Sequence, residues 1–261
     1  MSVPRPPTTF SKSASIHRIV GIDVARGLAV LGMFAAHVGP TPESGGVVGG
    51  LMYLTHGRSS ILFATLAGVS LALISGGNRS TAGEPKGSQT RRIIARGLVV
   101  LAIGATLTAI GTPVQVILAY YGVYFLLAIP FLRFTARTNF LIAAVLAIVG
   151  PIAAFITSNL LYGTSVLETI DRFDPLDRYS GEGITKIVLT GNYPAAAWMP
   201  LIIAGIGLGR LDLTSTMVRR QLVAAGAGLA VLGYGTAWVL GRIPGLALIA
   251  QRAGLLAQRR Q

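Results

Sequence analysis

Apolar runs of about twenty residues recur along this chain, and short segments that carry arginine or lysine separate them. A helix needs about 20 apolar residues to cross the hydrocarbon core of a bilayer, which is about 30 Å thick. Hydrophobic residues make up 52% of the sequence and charged residues 12%, about half the charged share of soluble domains. The sequence therefore predicts lipid surroundings, and the predicted fold class is an all-α, polytopic transmembrane helix bundle of about seven spans.

The predicted spans follow the apolar runs and lie at residues 19–38, 53–74, 93–110, 114–132, 140–160, 193–208 and 222–240. Between them we predict a Gly- and Pro-rich loop at residues 39–52 and a solvated loop at residues 162–192, which holds most of the acidic residues. The predicted domains are a disordered cytoplasmic tail at residues 1–18, a transmembrane domain at residues 19–240, and an interfacial or truncated segment at residues 241–261.

The positions of lysine and arginine predict the orientation. Cytoplasmic loops carry an excess of these residues, and here they cluster in the N-terminal tail and after the second, fourth and sixth spans. This pattern predicts a multi-pass plasma-membrane protein with a cytoplasmic N-terminus. An odd number of spans leaves the basic C-terminal segment outside, against the usual distribution of basic residues. Two explanations are open: the segment is an amphipathic helix in the interface, or the chain stops short of a longer architecture. A cleaved signal peptide over the first span is disfavoured, since the later spans make secretion implausible.

Charge and cysteine content exclude several classes of function. The formal net charge of +13 would fit a nucleic-acid partner, but the basic residues lie between apolar runs, so we predict membrane lipid and no nucleic acid. The absence of cysteine excludes disulfides, thiolate catalysis and cysteine-based metal sites. The acidic loop does not match the spacing of an EF-hand, and no metal is predicted.

Polar side chains at membrane depth are candidates for function, because holding them there costs free energy. Asp23 and Arg26 share a helical face in the first span and form either a structural ion pair or part of a site. His37, His56 and Arg58 lie near the outer ends of the first two spans and can converge if those spans are antiparallel neighbours. Histidine can act as a general base or acyl acceptor near neutral pH. The alternative is that these residues only anchor the helix ends at the interface.

Two other patterns indicate packing. Tyr120 and Tyr124 share a helical face in the fourth span, which is typical of packing or of an interface belt. Gly205 and Gly209 form a small-xxx-small pair in the sixth span, which predicts close contact with a neighbouring helix.

Several stretches together carry a family resemblance. They begin at Arg18 (RIVGIDVARGLA), His56 (HGRSSILFATLAG), Ile117 (ILAYYG), Gly191 (GNYP) and Gly209 (GRLD). In order and spacing they resemble bacterial relatives of the heparan-α-glucosaminide N-acetyltransferase catalytic domain, a family of multi-spanning membrane acyltransferases. The resemblance covers most of the chain from Arg18 to Asp212.

The resemblance implies acyl transfer across the membrane. Acetyl-CoA or another acyl-CoA would donate from the cytoplasmic side, and an extracytoplasmic amino sugar, other glycan or amine would accept. His56 or His37 would act as base or transient acyl carrier, and Arg58 would stabilise charge on the acyl oxygen. Asp23 and Arg26 would shape the donor's side of the site.

The same resemblance assigns Asn192 and Tyr193 to substrate binding. The sequence departs from the family in two respects. The family's catalytic histidine lies in the loop between the first two spans, whereas residues 39–52 contain none and only His37 and His56 bracket them. Family members usually carry several more spans.

The alternatives are a non-enzymatic membrane protein, either a small-solute permeation module or a subunit of an envelope-assembly complex, and an inactive, truncated relative. The sequence is compatible with a homodimer as well as with a monomer. A continuous polar cavity from the basic face to His56 would favour the enzyme over the other two.

Overall fold

The computed structural model describes residues 19–79, 87–112, 116–161, 164–181 and 183–242. The predicted tail at residues 1–18 lies outside these ranges, as does nearly all of the predicted segment at residues 241–261. Within the described residues the regular secondary structure is helical, which confirms the all-α prediction.

Ten α-helices follow one another within these ranges. They are α1 (Val20–Val38), α2 (Gly46–Thr55), α3 (Arg58–Ile74), α4 (Gly87–Ala109), α5 (Leu118–Ala128), α6 (Ala136–Leu161), α7 (Ser165–Phe173), α8 (Pro175–Ser180), α9 (Ala195–Gly209) and α10 (Thr216–Leu240). Short 3₁₀ helices cover Pro42–Ser44, Gly77–Arg79 and Ile129–Arg133, and a π-helical turn covers Lys186–Thr190.

The described residues contain five helical segments that are long and apolar enough to cross a membrane. These are Val20–Val38, Gly46–Ile74, Gly87–Ala109, Ala136–Thr157 and Thr216–Leu240. Two shorter apolar segments, Leu118–Arg133 and Ala195–Gly209, complete the set. Each of these seven segments overlaps one predicted span. The chain is therefore a multi-pass membrane protein.

Two predicted loops contain helices. The Gly-rich residues 39–52 include most of α2, because glycine here allows close packing: a Cβ atom at Gly49 would lie 2.5 Å from the carbonyl oxygen of Pro42. The acidic residues 162–192 include α7 and α8. There the Asp174 carboxylate caps the start of α8 by accepting the Leu176 amide at 2.9 Å, and Pro175 occupies the first helical position.

Contacts divide the chain into two compact units, Met1–Leu211 and Asp212–Gln261. In the first unit, α3 packs against α1 and α9, α4 packs against α5, and α6 packs against α9. The second unit contains α10, a single helix of 25 residues.

Small residues bring α3 and α9 together. A Cβ atom added at Gly205 would lie 2.0 Å from the Thr65 carbonyl oxygen, and one at Gly209 would lie 2.6 Å from the Cβ of Ala72. The prediction that Gly205 and Gly209 contact a neighbouring helix is confirmed. Close backbone approach of this kind is typical of helix packing in lipid.

Aromatic side chains fill the space around α5. Tyr120 and Tyr124 are fully buried, which confirms that their shared face is a packing face. The Tyr120 ring packs edge-on against Tyr193 with 5.5 Å between centroids, and the Tyr124 hydroxyl donates a hydrogen bond to the Tyr193 carbonyl oxygen. These contacts fix the start of α9 against α5.

A buried arginine connects three helix ends. Arg210, at the end of α9, donates to the Gly77 carbonyl oxygen at 3.0 Å, to the Ser75 hydroxyl at 3.2 Å and to the Leu132 carbonyl oxygen. Helix C-termini carry partial negative charge, so a guanidinium is well placed among them. Arg210 therefore holds the ends of α3, the Ile129–Arg133 turn and α9 together.

Candidate active site

The first two membrane segments run antiparallel and touch along their length. Near one end, the Arg26 guanidinium donates to the Ser70 hydroxyl at 2.8 Å. Near the other end, a Cβ atom at Gly39 would lie 2.9 Å from the Met52 sulfur. The first two spans are thus antiparallel neighbours, as the convergence of His37, His56 and Arg58 requires. These three residues lie toward the same end of the bundle. We call the two ends of the bundle the Val20 side and the Val38 side, after the first and last residues of α1.

The second segment is broken between α2 and α3, at His56 and Gly57. Gly57 has a φ of +72°, a conformation that favours glycine. The break lies level with Gly32, since a Cβ atom there would collide with the Ser59 hydroxyl at 2.1 Å. Gly32 is about 9 Å along α1 from its end at Val38. The break therefore lies within the length of the span rather than beyond it.

Side chains next to the break contact backbone carbonyls of α2. The Met52 carbonyl oxygen accepts the His56 amide at 3.0 Å and the Thr55 hydroxyl at 2.9 Å, and it lies 3.2 Å from His56 Nδ1. The Arg58 guanidinium donates to the Tyr53 carbonyl oxygen and stacks 4.5 Å from the centroid of the Tyr53 ring. Backbone carbonyls within a membrane need partners, so Arg58 stabilises the break.

The contact of His56 with Met52 favours one arrangement of the ring hydrogens. A carbonyl oxygen can only accept a hydrogen bond, so a hydrogen bond over this 3.2 Å contact would require the hydrogen on Nδ1. In a neutral imidazole, Nε2 would then have a free lone pair. The His56 side chain is exposed.

His37 and Glu43 lie on the same side of the bundle. His37 is exposed in the last turn of α1. Glu43 lies in the short Pro42–Ser44 helix, where the pKa of its carboxyl is below the usual range because its own backbone and the Thr41 hydroxyl donate to it, with a smaller contribution from His56. Glu43 is thus an ionised neighbour of His56 that the sequence analysis missed. It could have been noticed as the one acid in residues 39–52.

On the Val20 side, Asp23 and Arg26 form the ion pair that their spacing allows. Arg26 Nη1 lies 3.3 Å from Asp23 Oδ1, and Nη2 donates to Ser70 Oγ at 2.8 Å. Ser70 in turn donates to the Leu66 carbonyl oxygen at 2.7 Å. The guanidinium is therefore held in position between α1 and α3.

Arg26 also lines a cavity of about 140 Å³. Arg96 from α4 lies on its wall, and the remaining wall is apolar apart from Ser70, with Phe63 and Phe125 among its rings. Farther along the Val20 end of α4, Arg91 and Arg92 are exposed. The cavity thus combines an apolar interior with cationic groups, an arrangement that suits an anionic amphiphile.

The cavity extends toward the Val38 side as far as Phe63, and His56 is not among its lining residues. Phe63 packs edge-on against Tyr121 with 5.3 Å between ring centroids, and Tyr121 is buried. His56 lies about 10 Å farther along the helix than Phe63. In this conformation, the cavity does not reach the histidine.

The two residues assigned to substrate by resemblance have different surroundings. Asn192 is exposed. Tyr193 is half-buried, and its ring packs against Tyr120 and, with 5.3 Å between centroids, against Trp198. These contacts give Tyr193 a packing role, and a role for either residue in substrate binding stays a prediction.

Comparison with known protein families gives a match over most of the chain. The family described as "Heparan-alpha-glucosaminide N-acetyltransferase, catalytic" matches residues 18–239. No curated protein matches the chain, and no solved structure matches it. The family match covers the helix break, the ion pair and the cavity.

Proposed function

Because this chain belongs to the heparan-alpha-glucosaminide N-acetyltransferase catalytic family, we propose that it is a membrane-bound acyltransferase. The family implies acetyl-CoA as the donor. In our proposal, the Val20 side faces the cytoplasm across the plasma membrane and receives acetyl-CoA or another acyl-CoA. The acceptor is an extracytoplasmic amino sugar, other glycan or amine on the Val38 side. The basic residues on the Val20 side support this orientation.

His56 is the proposed general base. Its Nε2 takes a proton from the acceptor's amine as the amine nitrogen attacks the thioester carbonyl. Collapse of the tetrahedral intermediate breaks the C–S bond, and the departing thiolate of CoA takes the proton from the imidazolium. Arg58 stabilises the negative charge on the acyl oxygen. His37 is the second candidate for the base.

The observation that carries this proposal is the contact of His56 Nδ1 with the Met52 carbonyl oxygen at 3.2 Å, beside an exposed ring. A hydrogen bond there would place the hydrogen on Nδ1 and leave the lone pair of Nε2 free to accept a proton. The low-pKa carboxylate of Glu43 nearby also favours the imidazolium that forms during proton transfer.

The cavity on the Val20 side is the proposed donor site. Its apolar wall suits an acyl thioester, and Arg26 and Arg96 suit the anionic part of CoA. Sites for small molecules usually measure about 300–1,000 Å³, so a cavity of about 140 Å³ holds only the narrow acyl end of the donor. Transfer to the Val38 side then requires the acyl end to move about 10 Å beyond Phe63.

The distance between the cavity and His56, which is not among the lining residues, is the observation that favours the alternative. A non-enzymatic membrane protein, such as a permeation module or an envelope-assembly subunit, has no need for a passage that a pantetheine arm can enter. The same holds for an inactive relative of the family.

Donor binding separates these functions. Isothermal titration of the full chain in detergent should give saturable binding of acetyl-CoA and none of free acetate, with folding checked by circular dichroism. Binding of CoA without its acetyl group tests whether the nucleotide end contributes. A folded chain that binds neither acetyl-CoA nor CoA would contradict the proposed donor site and favour the alternative.

A further inference from the structure

The segment that follows α6 carries an exposed apolar surface. We call residues 164–181 and 183–190 the α7–α8 segment; it contains α7, α8 and the π-helical turn. Ile170, Phe173 and Ile184 are 48%, 72% and 54% exposed, and they line one open groove of about 530 Å³. A water-soluble loop would not expose three large apolar side chains side by side.

A contact with α4 fixes the depth of this segment. The Tyr179 hydroxyl of α8 lies 3.2 Å from the Thr106 hydroxyl of α4, within hydrogen-bonding distance. Thr106 is about 5 Å along the helix from the end of α4 at Ala109. Because α4 is long and apolar enough to cross a membrane, its end marks the boundary between lipid and water. Tyr179 is therefore at the depth where tyrosine is enriched in membrane proteins.

Two carboxylates of the segment have partners within it. Asp174 is buried and accepts the backbone amides of Leu176 and Ile184. Asp177 pairs with Lys186 Nζ at 2.8 Å. The Asp177 charge is thus paired with a cation and the Asp174 carboxylate is hydrogen-bonded, which lowers the cost of placing both beside lipid.

Basic side chains complete an amphipathic arrangement. Arg172 and Arg178 are exposed, and Arg178 Nε donates to the Arg172 carbonyl oxygen at 2.8 Å, which joins the end of α7 to α8. An interfacial helix typically combines apolar residues on one face with arginine or lysine on another, where they meet phosphate headgroups.

We propose that the α7–α8 segment lies in the membrane–water interface on the Val38 side, with Ile170, Phe173 and Ile184 among the acyl chains of that leaflet. The occupant of the groove is membrane lipid. Three observations favour lipid: the groove is apolar, Tyr179 fixes it at the end of a span, and the segment continues directly from the lipid-exposed helix α6. The segment is then an in-plane anchor, in contrast to the solvated loop that its acidic composition predicts. The proposal does not depend on the proposed enzymatic activity.

The absence of cysteine from the sequence gives a direct test. Phe173→Cys, Ile170→Cys and Ile184→Cys each introduce a single site for a nitroxide spin label in the full chain, reconstituted into phosphatidylcholine–phosphatidylglycerol vesicles. The matched control is Arg172→Cys, which lies beside Phe173 on α7 and is also exposed. Circular dichroism of each labelled variant checks that the helices are intact.

Electron paramagnetic resonance then measures collisions with oxygen, which concentrates in lipid, and with a nickel chelate, which stays in water. We expect labels at 170, 173 and 184 to collide more with oxygen than with nickel, and the label at 172 to show the reverse preference. Equal nickel access at 172 and 173 would overturn the proposal in favour of a solvated segment. Low access to both reagents at 173 would overturn it in favour of a covering protein surface, such as a second copy of the chain.

Discussion

Polar side chains at the two ends of the α1–α3 pair have different kinds of hydrogen-bond partner. On the Val20 side, Asp23, Arg26 and Ser70 satisfy one another across two helices beside a cavity. On the Val38 side, His56 and Arg58 pair with backbone carbonyls of their own broken helix. The first arrangement holds a cation in place beside an apolar space. The second leaves a basic nitrogen exposed.

This difference matches the two tasks of the proposed reaction, which are donor binding and proton transfer. Binding a donor requires a fixed charge and an apolar space, which the Val20 side has. Proton transfer requires a general base, and His56, the proposed base, lies on the Val38 side. Changes at the two ends should therefore affect different measurements, with donor affinity tied to one end and the chemical step to the other.

The largest effect outside the histidine itself is expected for Gly57→Val. A β-branched residue at a φ of +72° strains the backbone by about 1–3 kcal/mol. We expect a melting temperature lower by about 2–4 °C per kcal/mol, together with loss of acyl transfer because His56 moves. Gly50→Val is the matched control, since Gly50 lies inside α2, has the same open space around its Cβ position and has no positive φ. Equal melting temperatures for the two variants would show that the break is not held by Gly57.

Arg26→Gln tests the Val20 side. The change removes a charged hydrogen bond to Ser70 and a cation beside the cavity, and solvent exposure of the guanidinium limits the effect. We expect about tenfold weaker binding of acetyl-CoA in calorimetry, which corresponds to about 1.4 kcal/mol. Arg137→Gln, an exposed arginine on α6, is the control for overall charge. Unchanged affinity in Arg26→Gln would remove this residue from the donor site.

Ser70→Ala keeps the charge of Arg26 and removes only the partner that positions it. The expected loss of acetyl-CoA affinity is about two- to fivefold, because a single hydrogen bond contributes about 0.5–1 kcal/mol. Calorimetry of Ser70→Ala and Arg26→Gln side by side shows which variant loses more affinity for acetyl-CoA. A larger loss for Ser70→Ala than for Arg26→Gln would mean that the serine, rather than the cation, contacts the donor.

The smallest effect is expected for Glu43→Gln. The Glu43 carboxyl has a lowered pKa and is ionised at neutral pH. Its negative charge stabilises the imidazolium that forms while His56 holds the acceptor's proton. Without that charge, acyl transfer at neutral pH should slow by about twofold in the assay used for the other variants. An unchanged rate would mean that Glu43 does not influence the base.

The sequence predicted the architecture well because each helix that crosses lipid requires a run of about 20 apolar residues, which is visible in the sequence. Seven apolar runs predicted seven spans, and seven apolar helical segments occur within the described residues. Helix α2 was missed because its glycines suggested a loop, whereas Gly49 permits contact with Pro42. Helices α7 and α8 were missed because Asp174 was interpreted as a solvated acid, whereas it caps a helix.

The site was only partly predictable. The sequence pointed to His56 and Arg58, and the polar residues 55–60 interrupt the apolar run there, but this interruption was interpreted as the outer end of a span and not as a helix break between α2 and α3. The contact of His56 with Met52, and the influence of His56 on Glu43, depend on how the backbone turns at that break. Arg210 lies in a stretch that carries the family resemblance, yet its role in joining three helix ends depends on tertiary contacts alone.

The most direct test of the central claim is acyl transfer by His56→Asn. Asparagine keeps a donor where His56 Nδ1 contacts Met52, but it has no basic nitrogen in place of Nε2. Transfer from radiolabelled acetyl-CoA to glucosamine should be measured with the full chain in liposomes, beside the parent and His37→Asn. We expect His56→Asn to lose about 10²–10⁴-fold in rate, with an unchanged melting temperature, while His37→Asn stays active. Parental activity in His56→Asn would contradict the account.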